Sequence, residues 1–447
     1  MSSLYDYNFP LIVAAYVIMS FLATSNGTRV WSTTDDSSFN VLDYGAIGDG
    51  KKDDTEAFSK AWAKVCGATG YKPSLLVPGD KTFLLKPISF KGPCKSKSIH
   101  FQINGSLVAP NSLDAWGSAC QSAWISFERV DNLVLYGQGK IDGRGSIWWG
   151  KVLTTAHHLH ATNINESVPD GCKSRPVALS LHRCNGLRLM GLKHKDSPNA
   201  HIRISDCDNS IISNLHINAP EDSPNTDGID ISSSTHLQIH NSIIATGDDC
   251  IAIGSPASWI NITRITCGPG HGISVGSLGR SGDKAQVEEI HVRNCTFKNS
   301  KNGARIKTWQ VEFITPFETP LQTNEEKDTS LGGSGYARKI TFDDIPLVDV
   351  ENPIIIYQYY CDRRKGGREC EVQPNAVAIS DVTYNGFQGT SATLAAITLN
   401  CSQAQPCANV VLQNIKITSS GGNPLKSVCE NVKGSQKSVA PSVPCFQ

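Results

Sequence analysis

The chain carries no excess of either charge: lysine and arginine total 41, and aspartate and glutamate total 41. That balance offers no basic face of the kind a nucleic-acid binder presents. No apolar run reaches the roughly 20 residues that a membrane-crossing helix needs. The strongest, residues 9–23, stops short of it. The 15 cysteines include no Cys-x-x-Cys pair, and no histidine or cysteine spacing is read as a zinc site. Long helical patterns are also missing from about residue 98 onward, which excludes a helical architecture for most of the chain.

What is present begins with a leader. The apolar run 9–23 is followed by the small and polar residues Ala23, Thr24, Ser25, Asn26 and Gly27, so residues 1–27 resemble a secretory signal with cleavage near residues 23–27. The leader has no Lys or Arg and carries Asp6, which is atypical of such a signal. An extracellular destination agrees with the cysteine number and with six Asn-x-Ser/Thr sequons, at Asn26, Asn104, Asn165, Asn261, Asn294 and Asn400. Close pairs able to close local loops are Cys250 with Cys267, Cys361 with Cys370, Cys401 with Cys407, and Cys429 with Cys445. Cys184 and Cys207 read as a buried stack of thiols.

The most informative feature is a repeat. Asp227, Asp249 and His271 follow one another at intervals of 22 residues, and each precedes an isoleucine by two places: Ile229, Ile251 and Ile273. A repeat of this length marks a solenoid. Equal residues then fall on equal places of successive coils, and Asp227, Asp249 and His271 form a column with neighbours about 4.8 Å apart. Asp248 adds a third carboxylate, and clustered like charges are costly unless they are used.

The same periodicity sets the expected architecture. Residues 39–430 are expected to form an all-β, right-handed single-stranded parallel β-helix. Residues 55–65 read as an amphipathic capping helix, with Ala57, Phe58, Ala61, Trp62 and Val65 on one face. Residues 431–447 are left as a tail. Between Ile273 and Ile306 the step is longer than a coil, so SLGRSGDKAQ is expected to project near the polar column, with Arg280 and Lys284 within reach of a ligand. Arg305 and Lys307 flank Ile306, and an inward Ile306 turns both cations outward.

Hydrolysis of a glycosidic bond needs one carboxylic acid and one carboxylate, and three crowded aspartates can supply both. In order along the chain, SPNTDGIDI, TGDDCIAI, CGPGHGISVGSLG and RIKTW resemble the four signature motifs of plant polygalacturonases, supported by GQGKIDGRGSIWWG and NPIII. The resemblance implies an inverting hydrolase of pectin's α-1,4-galacturonan, secreted to the cell wall, monomeric, and free of metal and organic cofactor. It implies that Asp248 is the general acid, that Asp227 and Asp249 activate water, and that His271 supports the acid. Arg305 and Lys307 are implied to hold a galacturonate carboxylate, as suits a guanidinium and an ammonium. Tyr360 is implied to contact the sugar, although Tyr359 beside it is an alternative.

Two departures stand out. Residues 311–331 intervene before GGSGYARKI, either as a loop over the cleft or as translated intron sequence. Tyr357 stands where the family pattern has an acid in NPIIIDQ. The alternatives are a rhamnogalacturonan hydrolase, a calcium-dependent pectate lyase and a pectin-binding wall protein without turnover.

Overall fold

Strands of 3 to 17 residues, the longer ones bent at sharp corners, follow one another from residue 38 to residue 440. The computed structural model describes residues 38–116, 121–150, 175–309, 333–360 and 375–446. The leader 1–27, the segment 311–331 and the pair Cys361–Cys370 lie outside them.

The strands stack in parallel, coil on coil, as a parallel β-helix. One sheet runs from Ile88–Lys91 through Ala123–Glu128, Val177–His182, Ile202–Ser205, Ile229–Ser232, Ile251–Ile253, Ile273–Leu278, Asn302–Trp309, Asn352–Tyr360 and Ala395–Asn400 to Lys426–Glu430. It carries the polar column. Alternation along each strand sends every second side chain inward. Register makes ladders of them: Ile202, Ile229, Ile251, Ile273, Ala304 and Ile354 pair in turn, and so do Ile204, Ile231, Ile253, Val275, Ile306 and Ile356. All are buried, and each buried isoleucine contributes about 1.5–3 kcal/mol relative to exposure.

The corners have a recurring solution. Asn209, His236, Trp259, Glu289, Lys339, Asp381 and Asn409 all have φ between 52° and 56°, and a second series, Asn214, Asn241, Arg264, Asn294, Asp344 and Asn414, lies between 51° and 56°. The ladders skip the corner residues: Thr235 pairs Ser258 and Leu237 pairs Ile260, with His236 and Trp259 unpaired between them. One left-handed residue therefore turns the chain without ending the coil. Asparagine tolerates that conformation better than most residues, which is why it recurs there.

The helix Thr55–Gly67 buries Ala57, Phe58, Ala61, Trp62 and Val65. Trp62 packs at 5.2 Å from Phe90 and 5.8 Å from Phe127, and its indole N–H donates to Lys91 O at 3.1 Å. The disulfide Cys66–Cys94 ties the end of the helix to the first coils. At the other end the stack continues past residue 430, where a tail was expected, because Val432–Ala440 pairs in parallel with Cys407–Ser419. Cys250–Cys267, Cys401–Cys407 and Cys429–Cys445 are joined. Cys184 and Cys207 are free and buried, with Cys184 N–H donating to Cys207 Sγ at 3.3 Å. Among the sequons, Asn104, Asn261 and Asn294 are exposed, and Asn400 has its Oδ1 enclosed.

Replacing Asn214 separates the corner's two requirements. Asn214→Val is expected to lower stability by about 1–2 kcal/mol through the left-handed penalty, while Asn214→Gly changes it much less. Denaturant midpoints of the two variants measure this; equal losses would contradict the role given to the corner.

Candidate active site

Three turns feed the cleft sheet with its polar residues. Thr226–Gly228 leads into Ile229, Gly247–Cys250 into Ile251, and Gly270–Gly272 into Ile273. The ladders set Ile229 opposite Ile251 and Ile251 opposite Ile273, so the turns superpose as the 22-residue interval requires. Backbone bonds continue through them: His271 N to Asp248 O, Gly228 N to Asp249 O, and Cys250 N to Gly272 O, each 2.8 Å. The Cys250–Cys267 disulfide braces the central turn. Gly247 passes so close to Ser223 that a Cβ would sit 2.0 Å from the Ser223 carbonyl oxygen.

Asp249 is the electrostatic centre. It is buried, with Ser274 Oγ donating to Oδ1 at 3.0 Å, Lys307 Nζ donating to Oδ2 at 2.9 Å, and Arg305 Nη2 donating to Oδ1. Arg305 also donates from Nε to Ser274 Oγ at 2.8 Å. Ile306 points inward as expected, and the flanking cations face the cleft side. Both then fold back onto Asp249, so much of their charge is already committed there.

Asp248 has a different environment. Burial works against its ionisation, but the His271 hydrogen bond and the positive charges of His271, Lys307 and Arg305 outweigh burial and hold its pKa at about 2. His271 Nδ1 lies 2.8 Å from Asp248 Oδ1. An ionised carboxylate only accepts, so that imidazole nitrogen carries the hydrogen. Oδ1 also accepts from Asp249 N at 2.9 Å, and among the described residues Oδ2 accepts only from Asn225 Nδ2, at 3.4 Å. Oδ2 is the less occupied oxygen.

Asp227 is pushed the other way. Burial first, then the charges of Asp248, Asp230 and Asp249, raise it well above the usual carboxylate range. The three aspartates thus differ: one paired with two cations, one held as an anion by a histidine, one driven to keep its proton.

Sequence reasoning missed three residues here. Asp230 is the last aspartate of SPNTDGIDI, outward between Ile229 and Ile231, and burial raises it to about 6 against the opposing charge of Arg203. Its outward place in the strand alternation was the available signal. Ser274, which bonds both Asp249 and Arg305, occupies the same outward column. His201 is buried and held neutral, its pKa lowered to about 4 by burial. Ser197 N donates to its Nε2 at 3.3 Å, so Nδ1 carries the hydrogen and donates to Asp227 O at 3.1 Å. That bond positions Asp227.

Tyr360 stands beside the cations: its ring lies 4.8 Å from that of Trp309 and 5.3 Å from Lys307 Nζ. Tyr359 turns away, its hydroxyl accepting from Gln403 N at 3.2 Å. Arg280 reaches the rim, 5.0 Å over Trp309. Lys284 does not; it begins a strand of the other sheet, where it pairs with Ser334. Tyr357 is opposite Lys307 in the cleft sheet. The ligand atoms of Asp248, Asp249 and His271 lie within 4.8 Å of one another, a spacing that suits a metal. Both oxygens of Asp249 already accept from fixed cations, however, so an added divalent ion would meet two positive charges.

A family model described as "Glycosyl hydrolases family 28" matches residues 66–317 and 325–440. A probable polygalacturonase of Arabidopsis thaliana is 43% identical over 420 residues, covering 93% of this chain and 82% of that protein. Polygalacturonase-2 of Solanum lycopersicum is 40% identical over 393 residues, covering 88% and 78%. Among solved structures, endo-xylogalacturonan hydrolase of Aspergillus tubingensis matches with a TM-score of 0.69 at 24% identity, covering 90% of this chain and 100% of that one. The exopolygalacturonase of Thermotoga maritima matches at 0.68 and 22%, covering 90% and 91%. At those identities the two structures establish the shared fold.

The crowding of carboxyl groups has a cost in stability whose sign follows from Asp227. The unfolded chain releases this proton near the reference value of 3.8, whereas the folded chain keeps it to higher pH. The folded state therefore binds more protons above about pH 4, and stability falls as pH rises. Asp227→Asn is expected to raise the thermal unfolding midpoint at pH 7 and to leave it little changed at pH 3. A midpoint that is lower or unchanged at pH 7 contradicts the burial account.

Proposed function

Because this chain belongs to family 28 of the glycosyl hydrolases, we propose that it is a polygalacturonase, hydrolysing α-1,4-galacturonosidic bonds of pectin with inversion. The observation that carries this reading is the clustering, in one column of turns, of three aspartates in distinct electrostatic surroundings beside Arg305 and Lys307. Two cations beside a cluster of acids suit a polymer with a carboxylate on every sugar.

Asp248 protonates the leaving glycosidic oxygen through Oδ2, its less occupied oxygen, while Asp227 and Asp249 orient and deprotonate the attacking water. In the ligand-free site the proton sits on the wrong residue, since Asp227 is driven to hold it and Asp248 to lose it. Substrate binding corrects this. A sugar carboxylate drawn to Arg305 and Lys307 offsets the positive charge that depresses Asp248, and the sugar ring excludes water from its carboxyl. Both effects raise Asp248. One proton then moves from the base side to the acid side as the cleft fills. His271, hydrogen-bonded to Asp248 Oδ1, keeps that carboxyl oriented throughout. Tyr360 stacks or hydrogen-bonds against the sugar beside the cut.

Secretion to the cell wall completes the reading. Four disulfides join described cysteines, a density typical of oxidising compartments. Among the described residues no helix is long and apolar enough to cross a membrane.

Asp248→Asn is expected to lower kcat on polygalacturonate by about 10²–10⁴-fold, as loss of a general acid does, with KM changed much less. Retention of near wild-type kcat removes Asp248 from that role. Wild-type protein is expected to release reducing ends without added calcium. Unsaturated, ultraviolet-absorbing products that vanish with chelator would establish a lyase instead, and binding without product a wall-binding protein.

A further inference from the structure

An arginine occupies the same outward position of the cleft sheet two coils before the Asp248–Asp249 turn and again two coils after it. Register runs Arg203 to Asp230, Asp230 to Ala252, Ala252 to Ser274, and Ser274 to Arg305. Arg305 is bound to Asp249 and Ser274. Arg203 is not so engaged. Among the described residues its only polar partner is Asp230, with Nη2 to Oδ2 at 3.7 Å, beyond hydrogen-bond distance. Its guanidinium lines a cavity of about 320 Å³.

The rest of that cavity suits a sugar acid. Ser126 and Ser180 stand in line with Arg203 in the ladder and present hydroxyls. Glu128 also lines it, but its charge is met by Arg129 at 3.3 Å and Lys91 at 3.9 Å. His182 is tied to Asp206 at 3.2 Å and to Ser205 at 3.1 Å. Arg203 thus brings to the cavity a cation that, among the described residues, is held only by the long contact to Asp230.

We infer that Arg203 anchors a second carboxylate-binding subsite, where its guanidinium holds the carboxylate of a uronic acid about two sugars from the bond that is cut. The inference rests on the galacturonan reading for its ligand. Two strand spacings of about 4.8 Å separate Arg203's coil from that of Asp248, and a pyranose unit is comparable in length with one spacing. A chain laid along the helix axis reaches Arg203 on one side of the cut and Arg305 on the other. Asp230 is the internal competitor for the guanidinium. It is pushed to about 6, chiefly by burial, with Arg203 and Lys307 opposing and Asp249 and Asp248 reinforcing that shift. Below that pH it is neutral and leaves Arg203 to the substrate.

Calorimetric titration at pH 5 of the full chain carrying Asp248→Asn, with digalacturonate and hexagalacturonate, tests this. Adding Arg203→Gln is expected to weaken hexagalacturonate by about tenfold or more, the loss of a charge-assisted hydrogen bond, and digalacturonate by less than about twofold. Arg203→Lys, which keeps the charge but not the fork, is expected to fall between. Unfolding midpoints matching the parent exclude a folding defect. Equal weakening of both ligands, unchanged hexagalacturonate binding, or no binding of either oligomer overturns the subsite. If hexagalacturonate binds with this arginine dependence while the wild type cuts no polygalacturonate, the hydrolase reading fails and the subsite stands.

Discussion

Backbone pairing between coils leaves this chain little freedom over where its turn residues go. Each coil's amides and carbonyls are satisfied by the next, and inward isoleucines stack on isoleucines. A slip by one residue would send a whole ladder of apolar side chains outward. With that register held, Asp227, the Asp248–Asp249 pair and His271 must superpose, whatever their mutual repulsion. The cleft is therefore a place where packing forces like charges together, and its chemistry consists in how the repulsion is relieved.

Relief comes in three forms. Two cations from the coil of Ile306 neutralise Asp249, a histidine one coil on stabilises the Asp248 anion, and Asp227 retains a proton. The relief leaves Asp227 inclined to hold a proton and Asp248 to lose it, the reverse of what the proposed reaction asks of them until substrate binds. The same arrangement makes the site sensitive to any ligand that engages Arg305 or Lys307, because those charges bear on Asp248 as well as on Asp249. In the proposed reaction, substrate charge and protonation state are coupled through them.

The column itself was legible in the sequence because register converts a constant interval into spatial alignment. The capping helix was legible too, since Phe58, Trp62 and Val65 follow helical spacing, and so were the short disulfide loops at Cys250, Cys401 and Cys429. Side-chain partnerships were not. Nothing in the spacing says that His271 reaches Asp248 instead of Asp249 above it in the column, or that Arg305 and Lys307 fold back onto Asp249. Those choices depend on rotamers at adjacent turn positions. Asp230 and His201 were overlooked for a related reason: Asp230 sits in an ordinary strand and His201 just before one, and each gains its role from the coil beside it. Cys66–Cys94 joins a helix to a coil, so its separation follows no repeat.

An inverting cut by acid and base on opposite faces of the sugar is the central claim, and the configuration of the first product tests it most directly. Proton NMR during the first turnovers on polygalacturonate is expected to show the β-anomer of the new reducing end, relaxing later to the equilibrium mixture. Initial appearance of the α-anomer would mean retention through a covalent intermediate and would contradict the roles given to Asp227, Asp248 and Asp249.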